Sequence, residues 1–304
     1  MIVLSGGTGT PKLLGGLRQL VPDEDITVVV NTAEDLWVSG NLVCPDIDTV
    51  TYLFAGLLDV DKWWGIAQDT YHTHEALVSA GQNEVLRLGD RDRGTHILRS
   101  EFIRQGASLT EAVARTARML GAGANILPMC DETVSSMITT DGGKVHYQDF
   151  WVGQRGKPGV LGVEYQGADN TSVTDAIYQA VKREDNIIIG PSNPITSIGP
   201  ILAVKGMREL IGSKHVVAVS PIIGCEPVSG PAGKLMSACG YEVSSRGVAQ
   251  CYEGLMDVFV VDEQDGAGMR DAGDMDVAVV SADTMMTSAG KSKALAGVVM
   301  REMV

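Results

Sequence analysis

Long apolar runs are missing from this 304-residue chain. None approaches the ~20 residues that a membrane helix needs, so a membrane span is not expected. Basic residues are scarce, with 24 Lys and Arg against 38 Asp and Glu and a net charge of −14. Such a surface repels duplex nucleic acid and anionic membranes, which excludes both as partners. Aromatic residues make up only 5%. Cysteine is sparse and unpatterned: Cys44, Cys130, Cys225, Cys239 and Cys251 are odd in number, form no CxxC and match no zinc spacing. They read as reduced thiols of a reducing compartment. The chain opens on Ile2-Val3-Leu4-Ser5-Gly6-Gly7, without a basic stretch or a small-residue cleavage signal, and a cytoplasmic location is the expectation.

Glycine, by contrast, is abundant: 36 of 304 residues, well above the usual ~7%. Tight turns and close backbone approaches of the kind found in nucleotide-binding α/β proteins follow from that excess. Short β-branched runs recur at Ile2–Leu4, Thr27–Val30, Asn186–Ile189, Val216–Val219, Asp257–Val261 and Asp276–Val280. Runs of this length suit strands buried on both faces of a parallel sheet. Helical patterns lie between several of them, at Pro11–Leu20, Pro200–Ile211, Gly247–Leu255 and Lys291–Glu302. The alternation predicts one doubly wound α/β domain over residues 1–304, with a mainly parallel sheet and helices on both faces. Residues 51–185 read differently, as a mostly helical insertion with a small β element. Helices are expected at Thr73–Ala80, Thr95–Gln105 and Leu109–Leu120, the last opened by Ser108 with Glu111 three residues on. Val134–Asp149 alternates weakly and carries Asp141-Gly142-Gly143, a hairpin signal.

The first strand runs into Ser5-Gly6-Gly7-Thr8-Gly9-Thr10-Pro11-Lys12. That position, between a strand and a helix, is where α/β proteins cradle phosphate on backbone N–H groups. It is not a P-loop, because Lys12 follows Pro11 and precedes Leu13. Nor is it a dinucleotide fingerprint, because Lys12 stands where a third glycine belongs and the second strand ends at Asn31 rather than an acid. An ordinary tight βα turn is the plain alternative. After the second strand come Glu34, Asp35 and then Pro45-Asp46-Ile47-Asp48-Thr49. In an extended segment Asp46 and Asp48 point to the same side, where two carboxylates repel unless a cation or a shared proton holds them. Oxygen ligands of this kind suit Mg²⁺ bound beside phosphate; a solvated turn is the competing reading. In Leu86-Arg87-Leu88-Gly89-Asp90-Arg91-Asp92-Arg93-Gly94-Thr95-His96, one of Arg87, Arg91 and Arg93 is a candidate phosphate partner against a plain salt-bridged surface, and His96 reads as a packed or capping residue. The loops Gly190–Pro200 and Ser220–Lys234 are rich in Pro, Gly and Ser, and their length argues for ligand recognition. No Gly-x-Ser-x-Gly elbow is present, which disfavours covalent catalysis.

Taken together, Ser5–Lys12, the Asn-Thr-Ala-Glu-Asp-Leu-Trp-Val-Ser-Gly-Asn run from Asn31 to Asn41, Pro45–Thr49, Leu88–Asp92, Gly190–Pro194 and Pro227–Lys234 resemble the 2-phospho-L-lactate transferase (CofD) family across essentially the whole chain. The resemblance implies transfer of a 2-phospholactyl group from lactyl-2-diphospho-5′-guanosine, or its enolpyruvyl analogue, to the ribityl side chain of 7,8-didemethyl-8-hydroxy-5-deazariboflavin (Fo). The products are GMP and coenzyme F-420 without a glutamate tail. It also implies Mg²⁺ as cofactor, a homodimer, and contacts from Asp48 and Arg87 to Fo. On this footing Gly6, Gly7, Thr8, Gly9, Thr10 and Lys12 are expected at the phosphates, and Ser192, Asn193, Ser229, Gly230 and Lys234 at the guanosine part. Asp46 is expected to hold metal, Asp48 to orient the acceptor hydroxyl and take its proton, and Asp35 to be a third metal ligand. Trp37, Trp63 and Trp64 are candidate stacking residues for the deazaflavin. Two alternatives stay open: a non-catalytic regulator of the same fold that binds a sugar nucleotide or dinucleotide, and an NAD-dependent dehydrogenase, weakened by the missing third glycine.

Overall fold

The structure, a computed structural model, describes residues 1–271 and 277–303. In chain order the strands are β1 (Ile2–Ser5), β2 (Thr27–Val30), β3 (Leu36–Val38), β4 (Asn41–Val43), β5 (Asn125–Pro128), β6 (Ser135–Thr140), β7 (Gly143–His146), β8 (Val160–Gln166), β9 (Asn186–Ile189), β10 (His215–Val219), β11 (Ile222–Ile223), β12 (Glu226–Pro227), β13 (Val258–Asp262) and β14 (Ala278–Ala282). The helices are α1 (Gly9–Leu17), α2 (Pro45–Phe54), α3 (His72–Ser79), α4 (Asp90–Arg104), α5 (Leu109–Leu120), α6 (Asp175–Lys182), α7 (Gly199–Ala203), α8 (Met207–Ile211), α9 (Ala232–Ala238), α10 (Ser245–Cys251), α11 (Gly266–Asp271) and α12 (Ala289–Arg301). None is long and apolar enough to cross a membrane.

Seven strands form one parallel sheet in the order β14-β13-β10-β9-β1-β2-β5. Alternate residues of its strands feed two separate cores, as the period-2 geometry of a strand requires. Ile2, Leu4, Ile187 and Ile189 face the side covered by α6 to α10. Val3, Val28, Val30 and Ile188 face the side covered by α1, α2, α5 and α12. This is the doubly wound α/β fold expected from the alternating pattern. The chain winds from β1 toward β2 and β5 on one side and from β9 toward β14 on the other, so the topological switch lies between β1 and β9.

The residues expected as an insertion contribute β5 to the main sheet as an edge strand. Its run Asn125-Ile126-Leu127-Pro128 is short and ends in proline, which an edge position tolerates. The stretch 200–211 is broken into α7 and α8 by Gly206 at φ +88°. The strand expected at Asp276–Val280 is β14, with Asp276 itself outside the described residues. Helix α4 starts five residues before the expected Thr95, because the carboxylate of Asp69 accepts the N–H groups of Arg91 and Asp92 at its first turn. The Asp141-Gly142-Gly143 hairpin joins β6 to β7, and β8 completes a small antiparallel sheet.

At α5 both halves of the expected capping box are present: Glu111 N–H donates to Ser108 Oγ at 3.2 Å, and Ser108 N–H to Glu111 Oε2 at 3.1 Å. Ser108→Ala is expected to lower folding stability by about 1 kcal/mol, and Ser108→Asp to restore most of it. Urea midpoints of the three proteins check this; an unchanged midpoint for Ser108→Ala removes the cap's energetic role.

Candidate active site

Open α/β sheets bind ligands outside the carboxyl ends of the strands at the switch point, and there the glycine loop after β1 meets the loop after β9. The two are locked together. Thr10 N–H donates to Ser192 Oγ at 3.1 Å, the Thr10 and Ser192 hydroxyls lie 2.7 Å apart, and Ser192 Oγ–H donates to the Gly6 carbonyl. A Cβ at Gly9 would overlap the Pro191 carbonyl, so only glycine allows this approach. Thr8 stands at the N-cap position of α1 without a side-chain capping bond, and with Gly9 and Lys12 it lines a cavity of about 730 Å³.

Asp46 joins a third loop to these two. Its carboxylate accepts from Gly7 N–H at 2.8 Å and from Asn31 Nδ2 at 2.9 Å, while Asn31 Nδ2 also donates to the Thr196 carbonyl at 3.2 Å. Burial pushes the Asp46 carboxyl up to about 6, with the Asn31 and Gly7 donors offsetting part of that rise. Glu34 lies in the same wall. Burial raises its pKa well above the ordinary carboxylate range, and repulsion from Asp46 and Asp35 adds to it. Asp35 is raised chiefly by burial too, with a hydrogen bond from the Cys44 thiol and the nearby Arg99 offsetting part of that rise.

Asp46 and Asp48 do not form the expected same-side pair. Pro45 starts a helix instead of an extended segment, and residues two apart on a helix point about 200° away from each other. Asp48 therefore turns to α4. Arg99 donates to it through Nη1 at 2.6 Å and Nη2 at 3.1 Å, and His96 Nε2 lies 3.1 Å from its Oδ2. His96 also pairs with Asp92 at 3.2 Å, and Tyr52 donates its hydroxyl to Asp92 at 2.6 Å. Burial alone would raise the Asp48 pKa, but Arg99 and His96 reverse this and hold it well below the ordinary range. Burial opposes a charge on His96, yet the hydrogen bonds it donates to Asp48 and Asp92 outweigh it and push its pKa up to about 9.

Asp48, Asp92 and His96 bring one ligand atom each within 4.8 Å of one another, a possible metal-binding triad. As folded, it is an ion-pair network: Arg99 already neutralises Asp48, and a metal on His96 must displace a firmly held proton.

Two cavities flank the start of α2. The larger is lined by Gly7, Thr8, Gly9, Lys12, Asp46, Ser192, Asn193, Ser229 and Gly230 among the expected residues. Asn193 uses Oδ1 to accept from Ile195 N–H at 2.9 Å, which leaves its Nδ2 unpartnered in that wall. The smaller, about 360 Å³, contains Asp48 and Arg87. Pro45, Thr49, Trp64, Gln148 and Trp151 belong to both. Gly6 and Thr10 sit beneath the large cavity rather than in its lining, and Asp35 lies in neither. The Lys234 ammonium is not brought to a cavity: it donates to the carbonyls of Gly156 at 2.7 Å and Pro158 at 3.1 Å. Arg91 bonds the Ala67 carbonyl and Arg93 pairs with Glu84, so of the three arginines only Arg87 faces a cavity. Trp63 lines the large cavity with the Lys12 ammonium 5.7 Å from its ring centre, whereas Trp37 is exposed on β3 away from both.

Sequence reasoning passed over Glu34, Arg99, Gln148, Trp151 and the Thr284–Thr287 segment. One signal was available: Asp92, His96 and Arg99 are spaced i, i+4 and i+7, one face of a helix.

The 2-phospho-L-lactate transferase CofD family model matches residues 1–299. Among curated relatives, the 2-phospho-L-lactate transferase of Methanosarcina mazei is 56% identical over 301 residues, covering 99% of each chain. That of Methanosarcina acetivorans is 57% identical over 296 residues, 97% of this chain and 96% of the relative. That of Methanocaldococcus jannaschii is 46% identical over 267 residues, 86% of each. Among solved structures, a UPF0052-family protein of Bacillus halodurans superimposes with a TM-score of 0.65 over 98% of both chains at 17% identity, a likeness of fold.

Two outcomes test the network. A histidine whose pKa is raised from 6.5 to about 9 contributes stability that is complete below pH 6.5 and lost as pH climbs to 9. His96→Gln should therefore remove up to roughly 3 kcal/mol of stability at pH 6 and little at pH 9.5, as read from urea unfolding across that range; a pH-independent difference refutes the assignment. Arg99→Met strands a buried carboxylate and is expected to cost about 3–5 kcal/mol. Adding Asp48→Asn should return part of that loss, and a double variant no more stable than Arg99→Met would rule out the ion pair as its origin.

Proposed function

Because the chain belongs to the 2-phospho-L-lactate transferase (CofD) family, we propose that it moves a 2-phospholactyl group from lactyl-2-diphospho-5′-guanosine, or the enolpyruvyl analogue, to the ribityl hydroxyl of Fo. GMP leaves, and F-420 without a glutamate tail is formed. The observation that carries this reading is the pair of adjoining cavities with one shared wall: a polar one at the glycine loop, sized for a nucleotide, and a smaller one holding Asp48, Arg87 and aromatic rings.

Phosphoryl transfer asks for positioning and charge neutralisation more than for covalent chemistry. The N–H groups of Thr8 and Gly9 at the start of α1 and the Lys12 ammonium face the donor diphosphate. The unpartnered Nδ2 of Asn193 is a free donor for a donor oxygen. Asp48, kept ionised by Arg99 and His96, accepts a hydrogen bond from the ribityl hydroxyl and aligns it. The same neighbours make it a poor proton acceptor, so the base role expected for it is not carried into this mechanism.

The residues present fit Mg²⁺ at the large cavity. Glu34 and Asp46 are buried, carry raised pKa values and have no arginine or lysine partner among the described residues, so they form an oxygen-only donor set in need of a cation. Asp35, buried behind the cavity wall, is the third candidate ligand. The Asp48, Asp92 and His96 set, with a protonated nitrogen and an arginine in attendance, suits Mg²⁺ less. When bound, Mg²⁺ supplies positive charge to the phosphoryl oxygens.

The test incubates the protein with Fo, Mg²⁺ and the lactyl-diphospho-guanosine donor, then measures GMP and the mass of Fo plus phospholactate, with an EDTA control. Both products are expected, and EDTA should abolish them. Asp46→Asn should lower turnover on the order of 10²-fold or more. No product with either donor, while GDP still binds, would overturn the transferase reading in favour of a nucleotide-binding regulator.

A further inference from the structure

Trp151 sits on the wall common to both cavities, on a short π-helical turn, Asp149–Gly153, and is 38% exposed. One edge of its ring, at Cε3 and Cζ3, is backed by main chain. Gly156, at φ +60°, lies so close that a Cβ there would fall 2.8 Å and 2.9 Å from two carbons of the indole. Gly156 N–H in turn donates to the Phe150 carbonyl at 2.8 Å, which closes the segment on itself. The arrangement fixes the indole by one edge and so sets the tilt of an aromatic ring suited to stacking a planar ligand.

Lys234 holds this platform in place from another part of the fold. It sits on α9, directly after the Val228–Ala232 segment that lines the large cavity. Its ammonium has three carbonyls within reach, those of Gly156 at 2.7 Å, Pro158 at 3.1 Å and Lys157 at 3.5 Å, one for each of its N–H donors. Its charge also lies 6.0 Å from the centre of the Phe150 ring, under the same segment. A lysine so engaged contributes no charge to a ligand. It joins one wall of the large cavity to the backing of the ring that walls both.

We propose that Lys234 is a positioning residue that couples the two cavities: a nucleotide held against Val228–Ala232 fixes, through Lys234 and Gly156, the Trp151 surface on which a planar heteroaromatic acceptor stacks. The inference rests on the two-substrate reading above and adds an order to it, since the nucleotide then favours acceptor binding. Coupling is reciprocal, so the acceptor tightens the nucleotide by the same factor.

The experiment measures Fo affinity by tryptophan fluorescence, with and without saturating GDP, and GDP affinity by calorimetry. In the unaltered protein GDP is expected to tighten Fo at least about fivefold, the lower end of ordinary coupling. In Lys234→Met that factor should fall to about one. Lys234→Arg, which can still reach the carbonyls, should keep most of it. Gly156→Ala presses on the indole at the wall shared by the two cavities, so it should weaken Fo and shrink the GDP effect on Fo, and it serves if Lys234→Met does not fold. Full coupling in Lys234→Met, or GDP and Fo binding independently to the unaltered protein, would overturn the proposal and leave the transferase reading standing. Failure of the unaltered protein to bind either probe would overturn that reading and the coupling with it.

Discussion

A buried carboxylate that ties three loops to one point organises this molecule. Asp46 accepts from Gly7 in the glycine loop and from Asn31 at the end of β2, and Asn31 passes the connection to Thr196 in the loop after β9. The two strands that diverge at the switch point thus have their following loops drawn to one side chain. Two donors do not fully repay the burial of a carboxylate, which is why its proton affinity rises. The site is held together by a group that still calls for positive charge, and Glu34 beside it makes the same demand. That demand suits a place where a cation and an anionic ligand arrive together.

The second organising constraint is helical geometry. An extended Asp-x-Asp would have given one carboxylate pair and one site. Proline at the first helical position makes the segment helical, and the turn of the helix sends Asp46 and Asp48 to opposite sides of α2. Two carboxylates of nearly the same sequence position thereby acquire opposite character. Asp46 faces backbone donors and other acids, whereas Asp48 faces Arg99 and His96. One retains protons and attracts cations; the other is fixed as an anion that can only accept hydrogen bonds. The division of the ligand space into two cavities with a common wall follows from the same helix.

Where physical periodicity and local chemistry act alone, the sequence was readable. The β-branched runs, the Ser108 cap and the Asp141–Gly143 turn need nothing from distant residues to take their form. The glycine loop was readable for the same reason, since position after a strand and small residues suffice. What escaped depends on partners far away in the chain. Helix α2 was hidden because its polar first turn resembles a loop until Pro45 is recognised as a start. β5 was hidden because only four residues, one of them proline, carry it at a sheet edge. Arg99 lies in a stretch dense with charges, and nothing local marks the one that is buried; only its seven-residue spacing from Asp92 does. Lys234 was hard to place for a related reason. A lysine ending a Pro-Gly-Ser loop suggests a contact to the guanosine part, and only the fold reveals that backbone carbonyls have taken its donors.

An acidic protein that handles phosphates faces a conflict that these features resolve. With a net charge of −14, the surface as a whole repels a diphosphate. Widely spread cations would do little against that field in salt water, where exposed charges are screened within about 10 Å. The fold instead uses donors that cost no net charge. They are the main-chain N–H groups of Thr8 and Gly9, an asparagine amide left unpartnered, and one lysine at the cavity with its ammonium over Trp63. On the reading proposed above, the remaining attraction comes from a cation gathered by buried acids, so that the negative charge that repels the donor alone would recruit the ion that admits it. An excess of acid and a phosphate-binding site are then compatible, provided the acids are buried at the switch point and not scattered around its mouth.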